Sequence, residues 1–254
     1  MVVRPVDNII RMEGFDPATS FGPEVSRRYD RSVRGDEDDT VRFLAGLAAD
    51  GSALEFAVGT GRIAIPLAHR GIQVDGIELS LDMVARLHEK PGGNEIDVTI
   101  GDMSSATGPA DEYSLVYLVY NTIYNLLTQD GQVRCFENAA SHLPVTGVFV
   151  VEAGVPSAWL RGNQFVNVER LTAGEVIVDV NRYDPVTQIL DENHVSFTDG
   201  GIRLGPISCR LIWPAEMDLM ARIAGLELRD RWGGWNGEPF TASSERHISV
   251  YARR

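Results

Sequence analysis

Between residues 53 and 151 short apolar runs alternate with stretches whose apolar positions recur every three or four residues. The runs Ala53–Val58, Gln73–Glu78, Ile96–Ile100, Ser114–Tyr120 and Gly147–Val151 have the length and continuity of strands covered on both faces. Helical periodicity occupies Arg62–Arg70, Leu81–Lys90 and Asp130–His142, with Pro66 tolerable near a first turn and Ser80 the expected N-cap. A loop covers Gly101–Asp111. An earlier helix is expected at Asp38–Ala49, where Val41, Leu44, Leu47 and Ala48 share a face and Gly51 stops the element. Strand and helix alternating at this spacing predict an α/β fold: a Rossmann-like, doubly wound parallel sheet with helices on both faces.

From Pro156 the texture changes. Phe165–Leu171, Glu175–Asn181, Ile189–Phe197 and Ile202–Trp213 alternate apolar with polar and are separated by Gly, Asp-Pro and Asp-Gly, the pattern of antiparallel strands inserted into the α/β unit. A helix then runs from Pro214 to Ile223, and Leu226–Trp232 and His247–Ala252 read as two antiparallel strands. The organisation expected is therefore an arm over the site at 1–37, with Phe15, Phe21 and Tyr29 among Gly, Pro and charge. A ligand-binding core follows at 38–155, an inserted antiparallel β subdomain at 156–213, and a helix and hairpin completing the core sheet at 214–254.

Composition narrows the partners. A net charge of −13 leaves no basic face to displace phosphate counterions, which excludes a nucleic-acid partner from the expectation. Cys135 and Cys209 stand alone, without a metal-ligand pattern or a disulfide framework, as in a reducing cytoplasm. Neither a signal peptide nor an apolar run of membrane-spanning length is recognised, so no membrane partner is expected. The edge of the inserted sheet needs covering, which suggests a homo-oligomer.

The chemistry gathers at Ala53–Ala64. Strand, Gly59 and Gly61, then a helix start let a ligand approach the peptide groups closely. Gly59-x-Gly61-x-x-Ala64 also satisfies the dinucleotide fingerprint, with Glu78 in roughly the acid's place. Three features favour another ligand. Glu55 interrupts the first strand, where an acid suits an ammonium group or the loop N–H groups. Glu78 ends the second strand, where a carboxylate accepts from two vicinal hydroxyls. Asp102 follows the third, able to accept from an adenine amine while Met103 packs on the ring. An ammonium, a ribose and an adenine without a pyrophosphate describe S-adenosylmethionine (SAM). Asp75, in mid-strand, points away from the ligand in this reading.

The run Leu54 to Arg62, then Gly76-Ile77-Glu78-Leu79-Ser80 with Met83, then Gly101-Asp102-Met103, resembles the class I SAM-dependent methyltransferases over about residues 29 to 151. In one departure, Ala57 stands where many members have Gly. Tyr29-Asp30 and Val116–Leu127 resemble a small-molecule branch, and Leu219–Ser244 looks like amine methyltransferases of antibiotic biosynthesis. The resemblance implies the class I methyltransferase fold. It implies a SAM site (S-adenosylhomocysteine, SAH, as product) built from Tyr29, Glu55, Ala57, Val58, Gly59, Gly61, Arg62, Glu78, Leu79, Met83, Gly101, Asp102, Met103 and Leu118. It implies transfer to an amine of a small molecule or peptide in secondary metabolism.

Methyl transfer is an in-line displacement, and the protein's work is to hold nucleophile and methyl about 3 Å apart. Groups beyond the strand ends are therefore the catalytic candidates: Tyr120, Asn121, Tyr124 and Glu152. Phe21, Tyr120, Tyr124, His194, Trp232 and Trp235 are the candidates for contact with the acceptor. No Asp/Asp/Asn cluster follows the fourth strand, so no catalytic metal is expected. The competing readings are an O-methyltransferase on a sugar or polyketide hydroxyl, an NAD(P)-dependent oxidoreductase on the same turn, and a SAM-binding regulator that methylates nothing.

Overall fold

In a computed structural model that describes residues 12–31, 34–49 and 51–254, the chain builds two sheets. Parts of the expected arm, residues 1–11, 32 and 33, lie outside the described residues. The larger sheet contains β1 (Ala53–Phe56), β2 (Val74–Glu78), β3 (Asp97–Ile100), β4 (Leu115–Leu118) and β5 (Val148–Gly154). The smaller one contains β6 (Gln164–Leu171), β7 (Glu175–Asp184), β8 (Ile189–Thr198) and β9 (Gly201–Arg210). β10 (Leu226–Trp232) and β11 (Arg246–Arg253) return to the first sheet, giving seven strands in the order β10-β11-β5-β4-β1-β2-β3. β1 to β5 pair in parallel, and β11 runs antiparallel to both β5 and β10. The chain winds outward from β1 to β3 and then crosses back to lay β4 beside β1. That reversal is where such sheets open a crevice beyond their carboxyl ends.

The helices are α1 (Pro23–Tyr29), α2 (Glu37–Ala48), α3 (Ala64–Ala68), α4 (Leu81–His88), α5 (Gln129–Ser141), α6 (Pro156–Trp159) and α7 (Pro214–Ile223). The period of two along the strands sorts the sheet's side chains into two cores. Leu54, Phe56, Val116, Leu118, Phe149 and Val151 pack with Phe136 and Ala139 of α5 and with Met217 and Met220 of α7. Ala53, Leu115, Tyr117, Val148 and Val150 pack with Val41 and Leu44 of α2 and with Ile65 and Leu67 of α3. Burial on both faces explains why these strands read as unbroken apolar runs.

Several expected elements are shorter than their patterns, and for two of them the physical reason is plain. The helix expected from Arg62 begins only at Ala64, because Gly61 takes a left-handed φ of 76° and the turn extends through Arg62. A Cβ on Gly61 would stand 2.9 Å from Ile65 Cδ1, so the turn is closed by packing as well as by its backbone. The strand expected to reach Trp213 ends at Arg210. Leu211 and Ile212 drop into the first core, and the Gln132 side-chain amide donates to the Arg210 carbonyl at 2.9 Å. Among the described residues no helix is long and apolar enough to cross a membrane.

Candidate active site

A cavity opens at the carboxyl ends of β1, β2 and β3. Its floor is the turn after β1, contributing Ala57 and Gly59, and its wall on the β2 side is Ile77, Glu78 and Leu79, with Met83 of α4 beside them. Gly101, Asp102 and Met103 follow β3. Thr122, Asn125 and Leu126 come from the turn after β4, and Phe15, Pro17, Ser20, Phe21 and Tyr29 come from the arm. The inserted sheet adds Ile207 and Ser208 of β9.

Glu78 organises the polar side of this space. Its Oε2 accepts the Gly59 N–H at 2.9 Å and its Oε1 accepts the Ser80 N–H at 2.8 Å. A carboxylate offers about four acceptor sites, so two remain for vicinal hydroxyls. Burial raises its pKa, against the lowering effect of those backbone donors. Asp102 Oδ1 accepts the Ser104 N–H at 2.7 Å, and its second oxygen has no partner among the described residues. The loop that carries it is pinned from α5, where Asn138 Nδ2 donates to the carbonyls of Met103 and Ala106, each at 2.9 Å. Gly101 has to be small, since a Cβ there would lie 2.7 Å from the Ala106 Cβ.

The arm closes over these groups through bonds that the Tyr29-Asp30 pair makes intelligible. Asp30 accepts the Thr60 hydroxyl at 2.6 Å and pairs with Lys90 at 2.9 Å, and Lys90 also donates to the Thr60 carbonyl at 2.7 Å. Ser80 Oγ donates to the Phe21 carbonyl at 2.7 Å. Tyr29 is thus held against the glycine turn, with Phe21 edge-on at 6.3 Å between ring centroids. Burial raises the Tyr29 pKa, opposed by the Arg34 guanidinium 4.8 Å from its ring centroid, so the phenol is neutral.

Several expected residues lie elsewhere, for identifiable reasons. Strand alternation turns Glu55 away from the cavity to the α2 and α3 side, where it accepts the Tyr117 hydroxyl at 2.9 Å. Leu118 is buried in the core with α5, and Val58 packs against Gly76 of β2, whose added Cβ would meet Val58 Cγ1 at 2.6 Å. Gly61 is covered by Ile65. Arg62 pairs with Asp36 and Glu37, each at 3.5 Å, and contributes nothing to the cavity wall.

Of the catalytic candidates none lines the cavity. Tyr124 is buried and donates its hydroxyl to the Gly154 carbonyl at 2.5 Å, so it is a core residue. Glu152 is buried too, accepting the Tyr120 N–H at 2.7 Å, and Asn121 Oδ1 accepts the Gly154 N–H at 2.6 Å. Tyr120 and Asn121 both take left-handed φ angles, 57° and 63°. Glu152 and Asn121 therefore staple a strained turn that delivers Thr122, Asn125 and Leu126 to the cavity. The Tyr120 ring is 43% exposed and lies beneath Arg34, 3.8 Å from the guanidinium carbon.

The acceptor candidates separate likewise. Phe21 is on the cavity wall. Trp235 is buried against Phe43 of α2 at 5.4 Å, and Trp232 belongs to β10, paired with Ile248, so both tryptophans serve the sheet. His194 sits on β8 facing Asp179 and Glu192, outside the cavity. Sequence reasoning missed Thr122, Asn125 and Leu126, although they lie in the turn it had singled out, and it missed Phe15, which it noted only as an aromatic of the arm. Ile207 and Ser208 carry no local signal, because the docking of β9 over the cavity is a tertiary fact.

Comparison with known proteins gives this geometry a family. The methyltransferase-domain family model matches residues 53–147. The structure of the CcbJ methyltransferase from Streptomyces caelestis superposes with a TM-score of 0.88 at 35% identity, covering 94% of this chain and 100% of that one. The cypemycin N-terminal methyltransferase of a Streptomyces species is 25% identical over 210 residues, 80% of this chain and 83% of the relative. The dTDP-3-amino-3,6-dideoxy-alpha-D-glucopyranose N,N-dimethyltransferase of Streptomyces fradiae is 30% identical over 144 residues, 54% of this chain and 55% of the relative. Of the two ligands that the glycine turn allows, these likenesses favour the sulfonium nucleoside over the dinucleotide.

Proposed function

The chain belongs to the class I SAM-dependent methyltransferases, and from that premise we propose that it methylates an amine nitrogen of a small molecule or peptide in antibiotic-type secondary metabolism. When bound, SAM supplies an electrophilic methyl and a sulfonium leaving group, with SAH as the product. Glu78 would accept from the ribose hydroxyls and Asp102 from the adenine amine, with Met83 and Met103 as apolar walls. The arm residues Phe15, Phe21 and Tyr29 would exclude water and set the acceptor in line, a positioning effect on the order of 7–11 kcal/mol.

One observation carries the choice of nitrogen. Among the described residues the titratable side chains on the cavity wall are Tyr29, Glu78 and Asp102, and the two acids are the ones suited to the nucleoside. A neutral amine attacks with its own lone pair and sheds its proton to solvent afterwards, whereas a hydroxyl needs a base at the moment of attack. Tyr29, neutral and buried, is a poor base. The names of two relatives, an N-terminal methyltransferase and an N,N-dimethyltransferase, agree with a nitrogen acceptor.

The test is a panel of primary amines, peptide N-termini, sugar hydroxyls and phenols incubated with SAM, read as SAH release and as the mass of the methylated product. Methylated amines are the expected outcome. Methylation confined to hydroxyls would overturn the reading, as would a protein whose melting temperature rises with NADH and not with SAH.

A further inference from the structure

The inserted sheet carries a group of chemically capable side chains that the cavity does not use. Asp179 of β7 lies directly opposite His194 of β8, and two residues along Asn181 lies opposite Glu192, so all four share one sheet face. His194 Nδ1 is 2.5 Å from Asp179 Oδ1, and His194 Nε2 is 3.1 Å from Glu192 Oε1. One ligand atom from each of Asp179, Glu192 and His194 lies within 4.8 Å of the others, and no other such trio occurs among the described residues. Glu169 of β6 adds a further carboxyl, on the wall of a separate cavity that Asp179 and Glu192 also line.

A second observation points to a ligand. Asp179, Glu192 and Glu169 border this separate cavity, which Asn181 also lines, with His194 at its edge through its contacts to Asp179 and Glu192. Asn181 is 4% exposed. Its Nδ2 donates to the Asp179 carbonyl at 3.0 Å, but its Oδ1 is buried without a hydrogen-bond partner among the described residues. An orphaned buried acceptor beside three carboxyl groups leaves an excess of lone pairs and a shortage of positive charge. Arg161, on the same cavity wall, makes no ion pair with these carboxyls among the described residues, and its Nη1 donates instead to the carbonyls of Ala158 and Leu160.

We propose that Asp179, Glu192 and His194, with Asn181 Oδ1, form a binding site for a first-row divalent cation of the zinc type, clasping β7 to β8. Hard cations such as calcium and magnesium take oxygen ligands, whereas an imidazole with carboxylates suits zinc or manganese. Ligands of one tetrahedral ion with bonds of about 2.1 Å stand roughly 3.4 Å apart, and the ligand atoms of this group, within 4.8 Å of one another, need only small side-chain shifts to reach that arrangement. The site stands next to the methyl-transfer cavity, since Glu192 lies directly opposite Ile207, which lines it. A bound ion would stiffen the strands that wall the acceptor space.

The experiment uses the full chain, treated with EDTA and dialysed, titrated with zinc chloride and with manganese chloride by calorimetry, with melting temperature as a second readout. One zinc per chain is expected, together with a rise in melting temperature. His194→Gln and Glu192→Gln are each expected to weaken binding at least 30-fold and to abolish the rise. The His194 side chain is 50% exposed, so its replacement is expected to leave the fold intact, and unchanged SAH titrations of both variants are the control for this. Absence of stoichiometric zinc or manganese binding overturns the proposal. So does binding that survives both substitutions, and so does a cluster that takes ethylammonium and not the metal ions.

Discussion

Asp30 Oδ1 accepts the hydroxyl of Thr60 at 2.6 Å, so the residue after Tyr29 is bonded to the residue between the two glycines of the turn. The arm's position thus depends on a contact of 30 residues' sequence separation, reinforced by Lys90, which bridges both partners. Asp30→Ala removes a charge-assisted bond and the partly exposed ion pair with Lys90, about 1–2 kcal/mol between them. SAH affinity is expected to fall roughly 5- to 30-fold. Thr60→Val keeps the volume and the Asp30–Lys90 pair while deleting one hydrogen bond, and should fall less. Calorimetric titration with SAH reads both, and wild-type affinity in the two variants would show that the arm closes by other means.

Glu78 joins two tasks, holding Gly59 and Ser80 while facing the cavity. Glu78→Ala deletes its bonds to the ribose hydroxyls and frees two backbone N–H groups. A loss of about 2–3 kcal/mol in SAH binding is expected, on the order of 30- to 150-fold. Glu78→Gln retains one acceptor and should lose less. Unchanged affinity in Glu78→Ala would sink the assignment of this acid to the nucleoside.

Ala57 lines the cavity with a left-handed φ of 52°, a conformation that costs a residue bearing a Cβ about 1–2 kcal/mol. Ala57→Gly relieves this strain but adds about 0.4–1 kcal/mol of chain entropy to the unfolded state. The net expectation is a gain of about 0.5–1 kcal/mol, seen as a melting temperature higher by roughly 1–4 °C for a chain of this size. Gly59→Ala goes the other way, because φ is 58° and the added methyl stands 3.4 Å from Met83 Cε in the cavity wall. A scanning calorimetry pair separates the two signs. A lower melting temperature for Ala57→Gly would mean that the methyl packs usefully.

The core architecture was legible because two-sided burial writes itself into sequence as unbroken apolar runs, and Leu54, Val116 and Phe149 land on one core while Ala53, Leu115 and Val148 land on the other. Gly59, Glu78 and Asp102 were legible because each stands at a strand's carboxyl end, where a turn must present it to the crevice. Glu55 was misdirected because a period of two, which residue type cannot override, sends it to the face opposite Leu54 and Phe56. Glu152 and Asn121 were misread in another way. Polar residues at a strand end suit catalysis and suit stapling a strained turn equally well, and only the bonds to Tyr120 N–H and Gly154 N–H distinguish the two. Trp232 and Trp235 look like an acceptor wall until the pairing of β10 with β11 assigns them to the sheet.

Glu55 also makes stability depend on pH. Burial pushes its carboxyl up to about 8, against the lowering effects of the Tyr117 hydroxyl and the Arg62 charge. An unfolded glutamate titrates near 4.3. Between these two values the folded chain holds a proton that the unfolded chain has lost, so stability falls as pH rises through the window, by at most about 1.4 kcal/mol per unit. Burial raises Glu78 and Glu152 as well, with the same sign, so the wild-type slope alone does not isolate Glu55. Glu55→Gln does, since the amide oxygen still accepts from Tyr117 and carries no charge to bury. Urea unfolding at pH 6 and pH 8 is expected to leave the variant increasingly favoured at the higher pH, by up to about 2.7 kcal/mol relative to wild type. A difference that stays constant between the two pH values would mean that Glu55 is ionised in the folded protein throughout, with Arg62 rather than a proton as its counter-charge.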